Sequence, residues 1–170
     1  MTFAAYPDRR AELQALVASL QHDLREGGLQ PSRHLLIVVP GLEWQPYNLQ
    51  REVFQALRAA GISVYLPGNK DVNVPKQKWP NTDPNGFWHD GAITVSPIMQ
   101  AKGNEADVVY VVGLDHVAAQ EDSIKLRNQL FVGISRSRGW VHLSGAGMSS
   151  SPLKDEIERV IASGSTLRFT

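Results

Sequence analysis

The sequence predicts an α/β domain with a mostly parallel central sheet and helices on both of its faces. Short unbroken apolar runs at 35–39 and 108–112 are typical of strands that are buried on both sides of a parallel sheet. These runs alternate with longer amphipathic segments, which is the order of right-handed βαβ units. The 170 residues fit a single domain over 1–170, large enough to bury about 70% of its unfolded surface.

The individual elements follow from the apolar spacing and from turn residues. A first helix is predicted to begin the fold, capped by Asp8 and ended by Gly27, and a second follows Pro46. A long loop over 67–92, with the aromatic residues Trp79, Phe87 and Trp88, follows the second predicted strand. The predicted strands are 35–39, 62–66, 92–95, 108–112 and 140–143, and the later helices are 124–137 and 152–163.

Composition excludes several function classes. Lys plus Arg and Asp plus Glu number 17 each, so no global basic field is present and any nucleic-acid contact is local. The chain has no cysteine and its five histidines show no metal-ligand spacing, so no metal site is expected. Charge arrives early at the N-terminus, before any signal-like apolar stretch, and we expect a cytoplasmic protein without membrane association.

Chemistry-bearing residues concentrate in the segment after the strand at 92–95. Gln100, Lys102, Gly103 and Glu105 follow that strand directly, and a glycine there lets the backbone approach a phosphate or sugar closely. The alternative is that this segment is a polar turn between two strands.

In the helix predicted over 124–137, the expected core stripe is Leu126, Leu130, Phe131 and Ile134. Gln129, Gly133 and Arg136 share a neighbouring, polar face, and an interior glycine suggests close approach by a ligand or another backbone. The alternative is that Arg136 and Arg138 only complement the helix dipole. Arg51, on the helix after strand 35–39, is either a second phosphate ligand or an ordinary surface residue.

In order, these segments resemble the C-terminal, second RecA-like motor domain of superfamily I, UvrD/Rep-like helicases. Residues 94–105 resemble helicase motif V, residues 126–138 resemble motif VI, and residues 36–57 are more loosely similar to motif IV. The resemblance implies a RecA-like three-layer α/β/α fold, related to P-loop NTPases but lacking the P-loop itself. No G-x-x-x-x-G-K-[ST] occurs in the chain.

The resemblance also implies roles for single positions. Arg136 would be the arginine finger, while Gly103, Glu105, Gln129 and Arg51 would bind the nucleotide. Gln100 and Lys102 would link the nucleotide to a bound strand. Thr94 and Ser96 are further candidates for strand contact, because Pro97 and Met99 replace the Thr-x-His that usually opens motif V.

The implied cofactor is ATP with Mg²⁺, the metal being held by an N-terminal P-loop domain of the same parent protein. The other implied partner is single-stranded DNA or RNA, and the isolated chain is expected to be inactive. An alternative is a degenerate RecA-like module that binds or regulates another protein without catalysis. A Rossmann-like enzyme is disfavoured, since no glycine-rich turn follows strand 35–39.

Overall fold

A computed structural model describes residues 1–69 and 86–164 of the chain. Its strands are β1 (Thr2–Tyr6), β2 (Leu35–Val39), β3 (Val64–Tyr65), β4 (Ile93–Pro97), β5 (Ala106–Val112) and β6 (Ser137–Ala146). Its helices are α1 (Arg9–Arg25), α2 (Pro31–His34), α3 (Gln45–Ala59), α4 (Asp115–Ala118), α5 (Ile124–Ile134) and α6 (Pro152–Ala162).

The strands form one sheet in the order β1-β6-β5-β2-β4-β3, and every described ladder is parallel. Helices α1 and α3 contribute Leu16, Leu20, Leu49 and Val53 to the hydrophobic core on one face. Helices α5 and α6 contribute to the core on the other face. The predicted α/β class with a parallel sheet and two helical layers is therefore confirmed.

The connection from β4 to β5 sets the geometry of the site. Since β2 lies between these two parallel strands, residues 98–105 must cross β2 from the carboxyl edge of the sheet to its amino edge. The crossing starts where Ile98 N donates to the last residue of β2, Val39, at 3.1 Å, and ends where Ala106 N donates to Arg136 O at 3.0 Å. Ile98 and Ala101 are buried in the α5 face of the core, which fastens the loop to the sheet.

Some predicted boundaries are wrong. Strand β1 precedes the helix that was expected to begin the fold. It was not predicted, because its Thr-Phe-Ala-Ala-Tyr sequence has little of the apolar run that marks an interior strand. Strand β3 covers only Val64–Tyr65. Residues 70–85, with Trp79, lie outside the described residues, whereas Phe87 and Trp88 pack against the core.

The helix predicted over 124–137 ends at Ile134, and its predicted core stripe is also partly wrong. Ser135 caps the helix with its N–H bonded to Phe131 O, and β6 then begins at Ser137. Arg136 therefore lies in the two-residue link between helix and strand, and Arg138 lies in β6. Phe131 is 73% exposed rather than buried, because it lies on the outer side of α5.

Candidate functional site

The amino edge of the sheet brings two predicted site residues together. Ala106 N donates to Arg136 O at 3.0 Å, and Glu105 directly precedes Ala106, so the end of the crossing loop and the end of α5 are adjacent. The general expectation that ligand residues collect at the carboxyl ends of strands would have placed Glu105 at the opposite edge. We call Gly103, Glu105 and Arg136 the amino-edge site.

The Arg136 side chain is half-buried and rests on its own helix. Its Nε donates to Val132 O at 3.1 Å and its Nη2 donates to Ser135 Oγ at 3.1 Å. This arrangement satisfies a terminal carbonyl of α5, which agrees with the alternative in which Arg136 complements the helix dipole. Nη1 has no hydrogen-bond partner among the described residues, so the guanidinium retains free donors.

Arg138 is held differently. Its Nη2 forms an exposed ion pair with Asp107 Oδ1 at 2.8 Å, and Asp107 Oδ2 also lies 3.7 Å from His34 Nε2. Arg136 and Arg138 are therefore distinguished by partner: one guanidinium faces neutral backbone and hydroxyl oxygens, and the other faces a carboxylate.

Gly103 occupies a tight turn. Its φ is +88°, and Asn104 N donates to Ala101 O at 3.0 Å across it, so Gly103 stands at the third position of a four-residue turn. A side chain at this φ is strained, which explains the glycine by backbone conformation. A Cβ added there would meet nothing within 4 Å, so the surface above Gly103 is also open.

Lys102 and Glu105 flank this turn as exposed side chains. Neither forms a hydrogen bond or ion pair with another described residue. Both charges remain available for an external ligand.

Gln129 connects α5 to the loop after β2. Its amide is buried and makes two hydrogen bonds to the backbone of Gly41, accepting from N at 3.0 Å and donating to O at 3.1 Å. Gly41 itself has φ +147°, and a Cβ there would come within 2.9 Å of Pro46 Cδ. Both polar atoms of the Gln129 amide are thus engaged inside the protein.

Gly133 makes the second contact of α5 with its surroundings. A Cβ at this position would lie 3.0 Å from Ile98 Cδ1, so the glycine lets α5 pack closely on the crossing loop. Together, Gln129 and Gly133 join the segments similar to motifs IV, V and VI.

Arg51 is not brought to the amino-edge site. It is exposed on α3, which packs on the face of the sheet opposite to α5. Its neighbour Gln50 points inward and donates from Nε2 to Val95 O at 2.7 Å. Arg51 has no hydrogen-bond or ion-pair partner among the described residues.

Thr94 and Ser96 are fully buried in β4. The Thr94 hydroxyl donates to Phe87 O at 3.0 Å, and the Ser96 hydroxyl donates to Pro97 O at 3.0 Å. In this conformation their side chains do not reach a strand bound at the surface. Gln100, by contrast, is exposed near the carboxyl edge, where its Nε2 lies 3.5 Å from Tyr47 Oη.

Two groups of residues were not anticipated from the sequence. One is the exposed set of Trp44, Tyr47 and Met99 beside Gln100. The other is a buried carboxylate, Glu12, which accepts from Gly113 N at 3.0 Å and Ser144 Oγ at 2.6 Å and pairs with Arg9. The position of Glu12, an acidic residue beside the apolar stripe of the first helix, was the one sequence signal that it could be buried. No sequence periodicity predicts an exposed tryptophan in a loop.

The parallel sheet, the two helical layers and the linked motif segments define a RecA-like α/β domain. Residues 92–144 match the family model of the UvrD-like helicase C-terminal domain, a span that runs from just before β4 into β6. This match confirms the resemblance to the C-terminal domain of UvrD-like helicases, and it contains the segments similar to motifs V and VI.

Structural comparison agrees on the fold. The C-terminal domain of a possible DNA helicase from Lactobacillus plantarum WCFS1 superposes with a TM-score of 0.57 at 24% sequence identity, covering 89% of this chain and 76% of that chain. A search among curated proteins found no significant match.

Within residues 1–69 and 86–164, no helix combines the length and apolarity that crossing a bilayer requires. The same residues contain no group of three or more His, Cys, Asp or Glu side chains placed to hold a metal ion.

Proposed function

We propose that this chain is the C-terminal motor domain of an ATP-dependent superfamily I helicase. In this proposal it supplies Arg136, Gly103 and Glu105 to a nucleotide that a P-loop domain of the parent protein binds. The observation that carries the proposal is the Ala106–Arg136 hydrogen bond, which puts Glu105 beside Arg136 at one end of the crossing loop. The other end of that loop, near Gln100, would face the nucleic acid.

The residues present could contact one side of a nucleotide but do not form a complete nucleotide-binding site. The open surface above Gly103 and the exposed Glu105 suit a sugar or phosphate, and Arg136 has unused donors. No glycine-rich phosphate loop exists in the chain, so ATP and Mg²⁺ would be held mainly by the partner domain. When bound, the ATP would supply the phosphoryl group and the metal would neutralise its charge.

Arg136 would act by turning away from the end of α5. Its present acceptors, Val132 O and Ser135 Oγ, are uncharged, so a phosphate oxygen would compete well for the guanidinium. The Asp107 carboxylate holds Arg138, so Arg136 would be the arginine available to the nucleotide. In related NTPases such an arginine raises the rate about 10³- to 10⁵-fold.

The other sequence candidates receive supporting roles. Gln129 would keep the loop at Gly41 in register with α5, and Thr94 and Ser96 would hold β4 in place beneath the strand-binding edge. Gln100 and Lys102 remain candidates for strand contact because both are exposed. Arg51 lies on the opposite face of the sheet from Arg136, so its position does not support binding of both arginines to the same ATP phosphate.

The test is strand-stimulated ATP hydrolysis by the parent protein carrying Arg136→Ala. We expect a loss of about 10³-fold or more in kcat. Arg138→Ala is the matched control, since it removes an arginine two residues away that is paired with Asp107, and it should retain activity. Near-normal ATPase in the Arg136→Ala protein would refute the proposed role.

A second candidate function is a protein-interaction module without catalysis. Ile124 and Phe131 favour it, because they lie seven residues apart on one side of α5 and are 75% and 73% exposed. This candidate predicts that Phe131→Ser abolishes capture of a protein partner, whereas Arg136→Ala changes nothing.

A further inference from the structure

Four side chains form an exposed surface at the carboxyl edge of the sheet, which we call the edge platform: Trp44, Tyr47, Met99 and Gln100. Trp44 is 75% exposed, Tyr47 44% and Met99 54%. The rings of Trp44 and Tyr47 lie 6.1 Å apart with 54° between their planes. Large apolar side chains concentrated in this way usually mark a binding surface.

Adjacent strands bring the platform together. Trp44 and Tyr47 stand at the start of α3, after β2, and Met99 and Gln100 stand after β4. Because β2 and β4 are parallel neighbours, the two segments leave the sheet at the same edge. The amide of Gln100 reaches Tyr47 Oη at 3.5 Å, which joins the two halves.

Hydrogen bonds tie the backbone around Trp44 to the start of α3. Asn48 N donates to Trp44 O at 3.0 Å, and Leu42 N donates to Gln45 Oε1 at 3.0 Å. Glu43, directly before Trp44, has φ +52°, a conformation that few residues other than glycine adopt. Strain of this kind is concentrated at functional sites, and here it accompanies an indole that faces solvent.

We infer that the edge platform stacks the unpaired bases of a single-stranded nucleic acid, with Trp44 as the principal contact. The inference rests on the proposed helicase function and names the residues by which this chain would hold its track. It also explains how a strand is held although Pro97 and Met99 replace the usual Thr-x-His. Every base has a flat π-face, so stacking on aromatic rings gives affinity without sequence preference.

Size favours bases over a protein partner. Arg51 is exposed one helical turn beyond Tyr47, at i+4, and can meet a backbone phosphate of the same strand. If an aromatic side chain presents about 150–250 Å², the platform exposes on the order of 400 Å². A standard protein interface needs about 800 Å² per partner, whereas two stacked bases need much less.

The experiment is a titration of the 170-residue chain with a twelve-residue oligothymidylate at low salt, followed by fluorescence anisotropy and by the indole N–H signals in NMR spectra. We expect the Trp44 indole signal to move on binding. Trp44→Ala should weaken binding about 5- to 100-fold, the range found for removing one stacking side chain, whereas Trp44→Phe should retain most of it.

Trp140→Ala is the matched control. Trp140 is 66% exposed but lies near the other end of the sheet, in β6, so its removal should leave the affinity unchanged. An abasic oligonucleotide of the same length separates base stacking from phosphate attraction, and it should bind as weakly as Trp44→Ala binds the oligothymidylate.

Three results would overturn the inference: unchanged binding by Trp44→Ala, equal binding of the abasic strand, or no change of the Trp44 signal at millimolar oligonucleotide. Each of these is independent of the ATPase test. If Arg136→Ala loses ATPase activity but the Trp44 signal does not change, the platform inference is wrong and the proposed motor function stands. If Trp44 stacks on the strand but Arg136→Ala keeps normal ATPase activity, the proposed motor function is wrong and the platform inference stands.

Discussion

At the scale of single residues, one face of the sheet carries a partly buried polar group that lies outside the segments similar to helicase motifs. His142 stacks on Tyr110 at 4.7 Å between ring centroids, and its Nδ1 lies 2.8 Å from Thr2 Oγ1. Tyr110 in turn donates to Asp23 Oδ2 at 2.6 Å. These contacts tie β1, β5, β6 and α1 together through side chains.

This group predicts a loss of stability in acid. Burial lowers the pKa of His142 below its ordinary value of about 6.5, although Asp23 opposes the shift. The unfolded chain then binds a proton at this site more readily than the folded one. The contribution of His142 to the free energy of unfolding is therefore fully present above pH 6.5 and falls as the pH drops below it.

We expect His142→Asn to flatten the decline in the free energy of unfolding between pH 7 and pH 5, measured by urea denaturation at each pH. An identical slope in His142→Asn would contradict the assignment.

At the scale of elements, α5 is positioned by polar and steric contacts as much as by its apolar face. Gln129 hydrogen-bonds to the backbone of Gly41, Gly133 lets the helix pack closely on Ile98, and Ser123 caps the first turn. Because Arg136 follows α5 immediately, these contacts decide where the guanidinium stands. The helix therefore places the amino-edge site through residues that need touch no ligand themselves.

Replacing Gln129 by leucine would leave the N–H and C=O of Gly41 buried without partners. We expect Gln129→Leu to lower the free energy of unfolding by about 2–6 kcal/mol, since each of the two unsatisfied buried groups costs about 1–3 kcal/mol. Urea denaturation measures the change. Asn128→Leu alters the exposed neighbour in the same helix and should stay within about 0.5 kcal/mol. Equal effects of the two substitutions would show that the double hydrogen bond contributes little.

At the scale of the whole molecule, strand β1 closes one side of the sheet. It pairs in parallel with β6 from Thr2↔His142 to Tyr6↔Ala146, so β6 is an interior strand only while β1 is present. Helix α1 then returns across the sheet and is anchored by the buried carboxylate of Glu12 at Gly113 and Ser144. Strand β1 and helix α1 thus connect one edge of the sheet to its interior strand β2.

Deleting residues 1–7 should therefore expose the ladder groups of β6 as a new edge. An unpaired edge strand is a template for pairing with another chain, so we expect the truncated protein to be less stable and to self-associate. Light scattering after size-exclusion chromatography at matched concentrations compares it with the full chain. A truncated protein that remains monomeric and equally stable would show that β1 is dispensable.

The elements with strong local signals were predictable from the sequence. Unbroken apolar runs gave β2 and β5, and prolines, glycines and apolar spacing gave α1, α3 and α6, because burial imposes those patterns directly. The segments similar to motifs V and VI also carried the resemblance to UvrD-like helicases, which the family match over 92–144 confirms. Local sequence patterns determined the elements, and similarity to known motifs supplied the resemblance.

Only the tertiary structure decided which of those residues meet. The order of the strands forces residues 98–105 across β2, so Glu105 joins Arg136 while Gln100 joins Trp44 and Tyr47, and α3 carries Arg51 to the opposite face. It also decided that β1 exists and that Phe131 faces outward. The physical reason is that strand order and helix face depend on contacts between residues far apart in sequence, and no local pattern of side chains records them.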